Sequence, residues 1–230
     1  MPVPPPSAPP SVPPARRPTP TPTPVPSPTP STGPIVKANP EIHVPWNAKV
    51  LYTEVGYASW YGPGFQKRNG ANGMPYDMNA MTAAHRTLPL NTIARVTDVK
   101  TGDSVLLRIT DRGPFVGDRV IDLSRAAARK LSVYQHGTAL VRIEVLETPA
   151  SIKEGGRWCV QIGAFADSRD ASKLKEKLVR RYQSAKVLQF SSPMGGDWIR
   201  VRVAEDDKKR AQEVMRETHT DAGVYLVRLD

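Results

Sequence analysis

Short runs in which apolar and polar residues alternate dominate residues 47–150. They predict strands, because successive side chains of a strand point to opposite faces of a sheet. A helix is predicted after Ser124, an N-cap residue that precedes the alanine-rich segment 125–131. The predicted strands cover residues 56–61, 92–98, 105–109 and 139–146, with a hairpin turn at 100–103. Many short strands with one short helix are typical of a small closed β-barrel.

Beyond a polar linker at residues 148–156, the apolar positions follow strand and helix periodicities in turn. One helix begins at Asp167 or Ser168, and a second covers residues 206–218. The predicted strands cover residues 158–165, 185–190, 198–203 and 224–229. This βαββαβ order predicts a four-stranded antiparallel sheet with both helices on one face, as in ferredoxin-like split-βαβ folds. The opposite face of the sheet is then expected to be free to bind a partner.

Proline is concentrated at the start of the chain, where residues 1–45 hold 18 of the 24 prolines. The Thr-Pro repeat from Pro18 to Pro24 favours an extended polyproline II conformation. Few apolar side chains are present there to offset the entropy of ordering. We therefore expect a disordered spacer at residues 1–46, a barrel domain at 47–150 and a second domain at 151–230.

The net charge of +10 is spread along the chain and forms no single basic block. It suits a polyanionic partner, such as nucleic acid, lipid headgroups or an anionic wall polymer, without choosing among them.

The single cysteine, Cys159, lies in an apolar run and is expected to be a buried thiol. No apolar stretch is long enough for a membrane span, and no signal peptide follows Met1. No metal or cofactor is expected, because His43, His85, His136 and His219 lack ligand spacing.

Three sequence strings carry a resemblance in the barrel segment. They are Gly56–Gly62, then Ala71–Asp77 leading through Met81–His85 to Leu88, and Thr110–Phe115 with Ile121–Ser124. In this order and spacing they closely resemble the rare lipoprotein A family, over about residues 56–147. The resemblance implies a six-stranded double-psi β-barrel. It also implies lytic transglycosylase activity, which cuts the bond from N-acetylmuramic acid to N-acetylglucosamine without water and leaves a 1,6-anhydro end.

Asp111 is the best candidate for the acid–base group that this chemistry needs. One carboxyl group can protonate the leaving oxygen and then accept the proton of the attacking 6-hydroxyl. Asp111 follows an apolar strand and precedes the rigid turn Arg112–Pro114, and His85 could hydrogen-bond it or the substrate. From composition alone, Asp111 would rather pair with Arg112 or cap a turn, and His85 would be a structural histidine with satisfied hydrogen bonds. The resemblance assigns both residues to the family's catalytic set.

Met74 departs from the family pattern, which usually has glutamate after Asn-Gly and counts that glutamate among its catalytic residues. Methionine neither transfers a proton nor stabilises a cation by charge. Asp77 is no evident replacement, because it belongs to the ordinary family motif. The sequence therefore predicts a glycan cleft in which catalysis is weakened or lost.

Residues 157–230 resemble a SPOR domain through Gln161–Phe165 and Trp198–Val203. SPOR domains bind glycan strands that have lost their stem peptides, at the division septum. The resemblance assigns contacts to Gln161, Ala164, Trp198 and Arg200, with alanine at a position where the family often has serine. Trp198 and Arg200 are two residues apart on one strand and therefore share a face. An aromatic ring beside a forked donor suits sugar rings and their amide groups.

Two functions remain open on these folds: an envelope lytic transglycosylase, or a glycan-binding protein that has lost catalysis. The resemblance implies stripped peptidoglycan strands as the partner, possible division-site proteins, and a periplasmic, septal location with a lipid anchor upstream of Met1.

RNA binding also fits a basic split-βαβ sheet. The segment Trp198–Val201 lacks the aromatic string of RNA-recognition modules, so no nucleic acid partner is expected.

Overall fold

The computed structural model describes residues 42, 44–45, 48–192 and 195–230. The predicted disordered spacer therefore lies almost wholly outside the described residues. All described residues belong to one compact unit, residues 34–230.

Six strands within residues 48–192 close into a barrel in the order β1-β5-β2-β4-β3-β6. They are β1 (Tyr52–Trp60), β2 (Thr82–His85), β3 (Ile93–Asp98), β4 (Ser104–Asp111), β5 (Arg119–Leu123) and β6 (Ala139–Glu147). Strands β1 and β5 run parallel, as do β2 and β4, and the remaining pairs are antiparallel. The predicted six-stranded double-psi barrel is confirmed.

Strands β2 and β5 were not predicted from periodicity. Both are short, and β2 has three buried residues in succession. Strand β5 likewise ends in three consecutive buried residues, and because successive side chains point to opposite faces, both strands are covered on both faces. Strands buried on both faces read as continuous apolar runs and show no alternation.

Two short helices, α1 (Arg125–Lys130) and α2 (Val133–His136), pack beside the barrel. The predicted cap is present, because Ser124 Oγ accepts a hydrogen bond from the Ala127 amide at 3.1 Å. Buried aliphatic side chains from the strands fill the barrel interior, among them Leu107, Ile109, Ile121 and Ile143.

The second domain has the elements β7 (Trp158–Phe165), α3 (Ser168–Arg181), β8 (Lys186–Ser191), β9 (Asp197–Arg202), α4 (Lys208–Glu217) and β10 (Gly223–Arg228). Its sheet has the strand order β10-β7-β9-β8 and is antiparallel throughout. Helices α3 and α4 cover the same face, where Ala171 and Val214 pack against Ile162 and Val201 of the sheet. The predicted βαββαβ fold is confirmed.

The other face of this sheet is partly covered by the barrel, which corrects the sequence prediction that the whole face is free. The loop of residues 112–118, which joins β4 to β5 in the barrel, reaches this face. The ring of Phe115 lies 5.6 Å from the rings of both Trp198 and Tyr225. The Arg86 guanidinium lies 5.7 Å from the Tyr225 ring, and the Arg86 carbonyl accepts from the Arg228 amide. Periodicity showed which residues share this face and carried no information about the barrel loop that covers it.

Candidate active site

Asp111 is the last residue of β4, and its carboxylate is held by three hydrogen bonds. Oδ1 accepts from the backbone amides of Ala71 at 2.9 Å and Arg112 at 2.8 Å. Oδ2 accepts from the Tyr61 hydroxyl at 3.2 Å. The carboxyl group is therefore fixed where the strand ends and the 112–118 loop begins.

Burial raises the pKa of Asp111 above its ordinary value, although the hydrogen bonds from Arg112, Ala71 and Tyr61 act in the opposite direction. Desolvation penalises the charged form more than these donors favour it. Burial and the nearby Asp111 charge raise the pKa of Tyr61 as well. Tyr61 therefore remains a hydrogen-bond donor, and Asp111 keeps a proton at higher pH than an exposed aspartate. This is the property required of a general acid.

A tight hairpin at residues 69–75 closes over Asp111. Asn69 and Pro75 form an isolated bridge, and the Gly70 amide donates to the Met74 carbonyl at 2.9 Å. At its tip, Gly73 has a φ of +81°, a left-handed conformation that favours glycine. A Cβ on Gly70 would lie 3.0 Å from the Thr110 carbonyl, so this glycine permits close approach to β4. Met74 thus belongs to the segment that holds Asp111, and its side chain is 65% exposed.

Asp122 in β5 is a second carboxyl group near Asp111, and the sequence did not predict a role for it. Its Oδ1 accepts from Ser59 Oγ at 2.7 Å, and its Oδ2 lies 3.5 Å from the Arg119 guanidinium. Burial raises the pKa of Asp122, and the charge of Asp111 raises it further. The sequence does carry one signal for Asp122, because an acidic residue stands there between the apolar residues Ile121 and Leu123.

A cleft of about 270 Å³ connects the two carboxyl groups. Its lining includes Asp111, Asp122 and Phe115 from the barrel, and Gln161, Phe190 and Trp198 from the second sheet. Aromatic rings beside a few convergent polar groups are typical of ligand sites. The cleft can therefore accept a ligand with apolar faces and hydroxyl groups next to two carboxyl groups of raised pKa.

His85 does not make the hydrogen bond to Asp111 that the sequence suggested. Its Nδ1 accepts from the amides of Thr87 at 3.2 Å and Leu88 at 3.0 Å, which leaves the proton on Nε2. Nε2 lies 3.2 Å from Glu54 Oε2 and can donate to it. Both ring nitrogens are therefore engaged away from Asp111, and the residue is 2% exposed. His85 therefore stabilises the end of β2 next to the site through its hydrogen bonds to the following turn and to Glu54.

Arg112 links the loop to its surroundings. Its guanidinium donates to the carbonyls of His85 at 3.0 Å, Leu88 at 2.6 Å and Asp230 at 2.6 Å. Burial and the charge of Arg228 lower the pKa of Arg112 to about 10, so the group remains charged at neutral pH. The alternative in which Asp111 only pairs with Arg112 is not what the structure shows, because the Arg112 side chain bonds carbonyl oxygens.

The four predicted binding residues of the second sheet lie in different environments. Trp198 and Gln161 face away from the helices and are buried, with 7% and 4% exposure, and both line the cleft. Arg200 donates to Gln161 Oε1 at 2.9 Å, and its guanidinium lies 5.3 Å from the Phe190 ring. Ala164 is exposed and does not line the cleft. Trp198 is therefore buried against the barrel loop and does not belong to the helix-facing core.

Replacing Asp122 with asparagine should stabilise the protein at neutral pH, because burial raises the pKa of this carboxyl group and its ionised form is therefore disfavoured in the folded state. The folded pKa of Asp122 is raised, so its favourable contribution is present below the unfolded pKa and lost as pH rises through the folded pKa. The gain should therefore shrink towards pH 4. Urea unfolding at both pH values measures it, with Asp118→Asn as an exposed control. A larger gain at pH 4 than at pH 7 would contradict this assignment.

No helix in the described part of the chain is long and apolar enough to cross a membrane. Cys159 is buried, and burial raises the pKa of its thiol to about 11. Among residues 42, 44–45, 48–192 and 195–230, no three His, Cys, Asp or Glu side chains are placed to hold a metal ion.

Two family models match the chain in succession. Residues 53–143 match the family described as lytic transglycolase, and residues 154–226 match the SPOR domain. The barrel with its carboxyl-lined cleft is thus similar to the lytic transglycolase family, and the second sheet with its helices is similar to the SPOR domain.

Curated relatives carry the name endolytic peptidoglycan transglycosylase RlpA. The protein from Campylobacter jejuni is 40% identical over 64% of this chain and 62% of its own length. Those from Neisseria meningitidis and Pseudomonas aeruginosa are 52% and 50% identical, over 56% and 49% of this chain and 55% and 34% of their own lengths. The chain therefore spans less than two thirds of these relatives. Together with the two family models, they show what the chain is similar to: the RlpA transglycosylases and, in its second part, the SPOR domain.

Proposed function

We propose that this protein binds peptidoglycan glycan strands in the cleft and cleaves them slowly as a lytic transglycosylase. The observation that carries the proposal is Asp111, a carboxyl group of raised pKa fixed by three hydrogen bonds in an aromatic-lined cleft. The names of the relatives supply the substrate class.

In the proposed reaction, protonated Asp111 donates its proton to the glycosidic oxygen as the bond from C1 of N-acetylmuramic acid breaks. The Asp111 carboxylate then accepts the proton of the 6-hydroxyl of the same sugar, whose oxygen forms the new bond to C1. Asp111 is thereby returned to its protonated form and no water is consumed. Asp122, when ionised, stabilises the positive charge that develops at C1.

Binding without cleavage is the second candidate, and Met74 is the observation that favours it. The hairpin that holds Asp111 has no carboxylate at this position, and its Met74 side chain projects into solvent. Asp122 supplies a second carboxyl group from another strand, so we propose that catalysis is slowed rather than lost.

The proposed partner is the glycan strand without stem peptides, bound in part by Gln161, Trp198 and Arg200. We propose a location on the periplasmic side of the envelope, at the septum where stripped strands accumulate, with an upstream lipid anchor. Division-site proteins are further proposed partners. Fluorescent fusions of the full-length protein in dividing cells test the septal part of this proposal.

Incubation with purified sacculi tests the activity. Stripped sacculi should retain more protein than intact ones, and mass spectrometry should find glycan fragments with 1,6-anhydro ends. Sacculi treated with a hydrolytic muramidase provide the control for reducing ends. Reducing ends alone would contradict transglycosylase chemistry, and equal binding to both kinds of sacculi would contradict the preference for stripped strands.

A further inference from the structure

The barrel and the second sheet share one cleft. Phe115 lies between the rings of Trp198 and Tyr225, so the barrel loop and the sheet meet through three aromatic side chains. Arg86 holds the loop by donating to the carbonyls of Pro114 and Arg119, each at 2.9 Å. The position of the loop is therefore fixed from the barrel side as well as from the sheet side.

Groups suited to a sugar ligand lie on both walls of this cleft. The barrel wall carries Asp111 and Asp122, and the sheet wall carries Gln161 and Phe190. Phe190 is 37% exposed, so its ring is available to pack against the apolar face of a sugar ring.

Arg200 adds a positive charge beside the sheet wall. Its guanidinium lies over Phe190 and donates to Gln161, while its buried Nε has no hydrogen-bond partner among the described residues. Each N-acetylmuramic acid without a stem peptide carries a lactyl carboxylate, which a guanidinium can bind. The sheet side of the cleft thus offers an aromatic ring for a sugar, and Arg200 next to it offers a cation for the anionic substituent.

We propose that this cleft is a single glycan-binding site built by both domains, in which Phe190 and Gln161 bind the sugars adjacent to those at Asp111 and Asp122. The inference rests on the proposed function and adds a specific geometry to it. The second domain binds the segment that is to be cut, and not a remote part of the strand.

Titration calorimetry of the full chain with a short ligand tests the shared site. The ligand is a tetrasaccharide of two N-acetylglucosamine–N-acetylmuramic acid units without peptides, too short to serve two separate sites at once. We expect one tetrasaccharide per chain. Phe190→Ala and Phe115→Ala should each weaken binding by about two- to tenfold, as expected for the loss of one aromatic contact.

Leu188→Ala is the matched control, because Leu188 lies two residues from Phe190 on the same strand face, is 41% exposed and does not line the cleft. Its affinity should be unchanged, and thermal melts of all variants check their folding. Two independent sites, or weakening by only one of the two phenylalanine variants, would overturn the shared site and leave the proposed function standing. No binding by the unmodified chain would instead contradict the proposed function itself.

Discussion

Replacing Met74 with glutamate should raise the release of 1,6-anhydro products from stripped sacculi by about 10²-fold, the typical effect of a positioned proton-transfer group or charge stabiliser. Met74 lies in the hairpin whose Ala71 amide binds Asp111, so a carboxylate there joins the same site. The two side chains are similar in length and the position is 65% exposed, so the exchange should leave the fold intact.

Met74→Gln is the matched control, because glutamine has the shape of glutamate without its charge or its proton-transfer capacity. It should release product at the rate of the unmodified protein. The gain of Met74→Glu should also vanish when Asp111→Asn is added, since cooperating catalytic groups are strongly non-additive. Equal rates for Met74→Glu and Met74→Gln would exclude a catalytic role at this position.

Asp111→Asn should lower the release of anhydro products by about 10²–10⁴-fold while leaving retention on stripped sacculi unchanged. Asparagine Oδ1 can still accept from the amides of Ala71 and Arg112, which keeps the hairpin in place. The asparagine side chain cannot donate a proton to the glycosidic oxygen and then accept one from the 6-hydroxyl group. Mass spectrometry measures the products, and a sacculus pull-down measures binding.

The pH profile gives the same assignment an independent check. Asp111 acts first as an acid, so the rate should fall as pH rises through its raised pKa. Asp77→Asn, an exposed change in the neighbouring motif, should keep both the rate and the profile. A residual Asp111→Asn rate with the unmodified pH profile would assign the acid role to another group.

The sequence was sufficient for elements whose burial differs between faces. Burial alternates along most of β6, and Ser124 identified the start of α1. It was insufficient for β2 and β5, because strands covered on both faces lose their alternation. Missing β5 as a strand also concealed Asp122, which becomes a site residue only when β5 brings it beside Asp111.

The candidate site shows the same limit. Asp111 could be singled out because it lies between an apolar strand and a rigid turn, in a sequence string that resembles the family's catalytic motif. The hydrogen-bond partners of His85 could not be predicted from the sequence. The amides of Thr87 and Leu88 reach its Nδ1 because of the local turn after β2. Likewise, the alternation of β9 placed Trp198 on the face away from the helices, but only the path of the 112–118 loop buries it.

The hydrogen bonds of Arg112 to both domains limit which SPOR domains can replace the native one in a chimeric protein. This side chain follows Asp111 directly and donates to carbonyls on both sides of the junction, at His85 and Leu88 in the barrel and at Asp230 beyond β10. A SPOR domain grafted from a relative would retain the cleft only if its chain passes close enough to offer a carbonyl to this guanidinium. The two modules are therefore not freely interchangeable, and a linker of correct length does not by itself make a graft compatible.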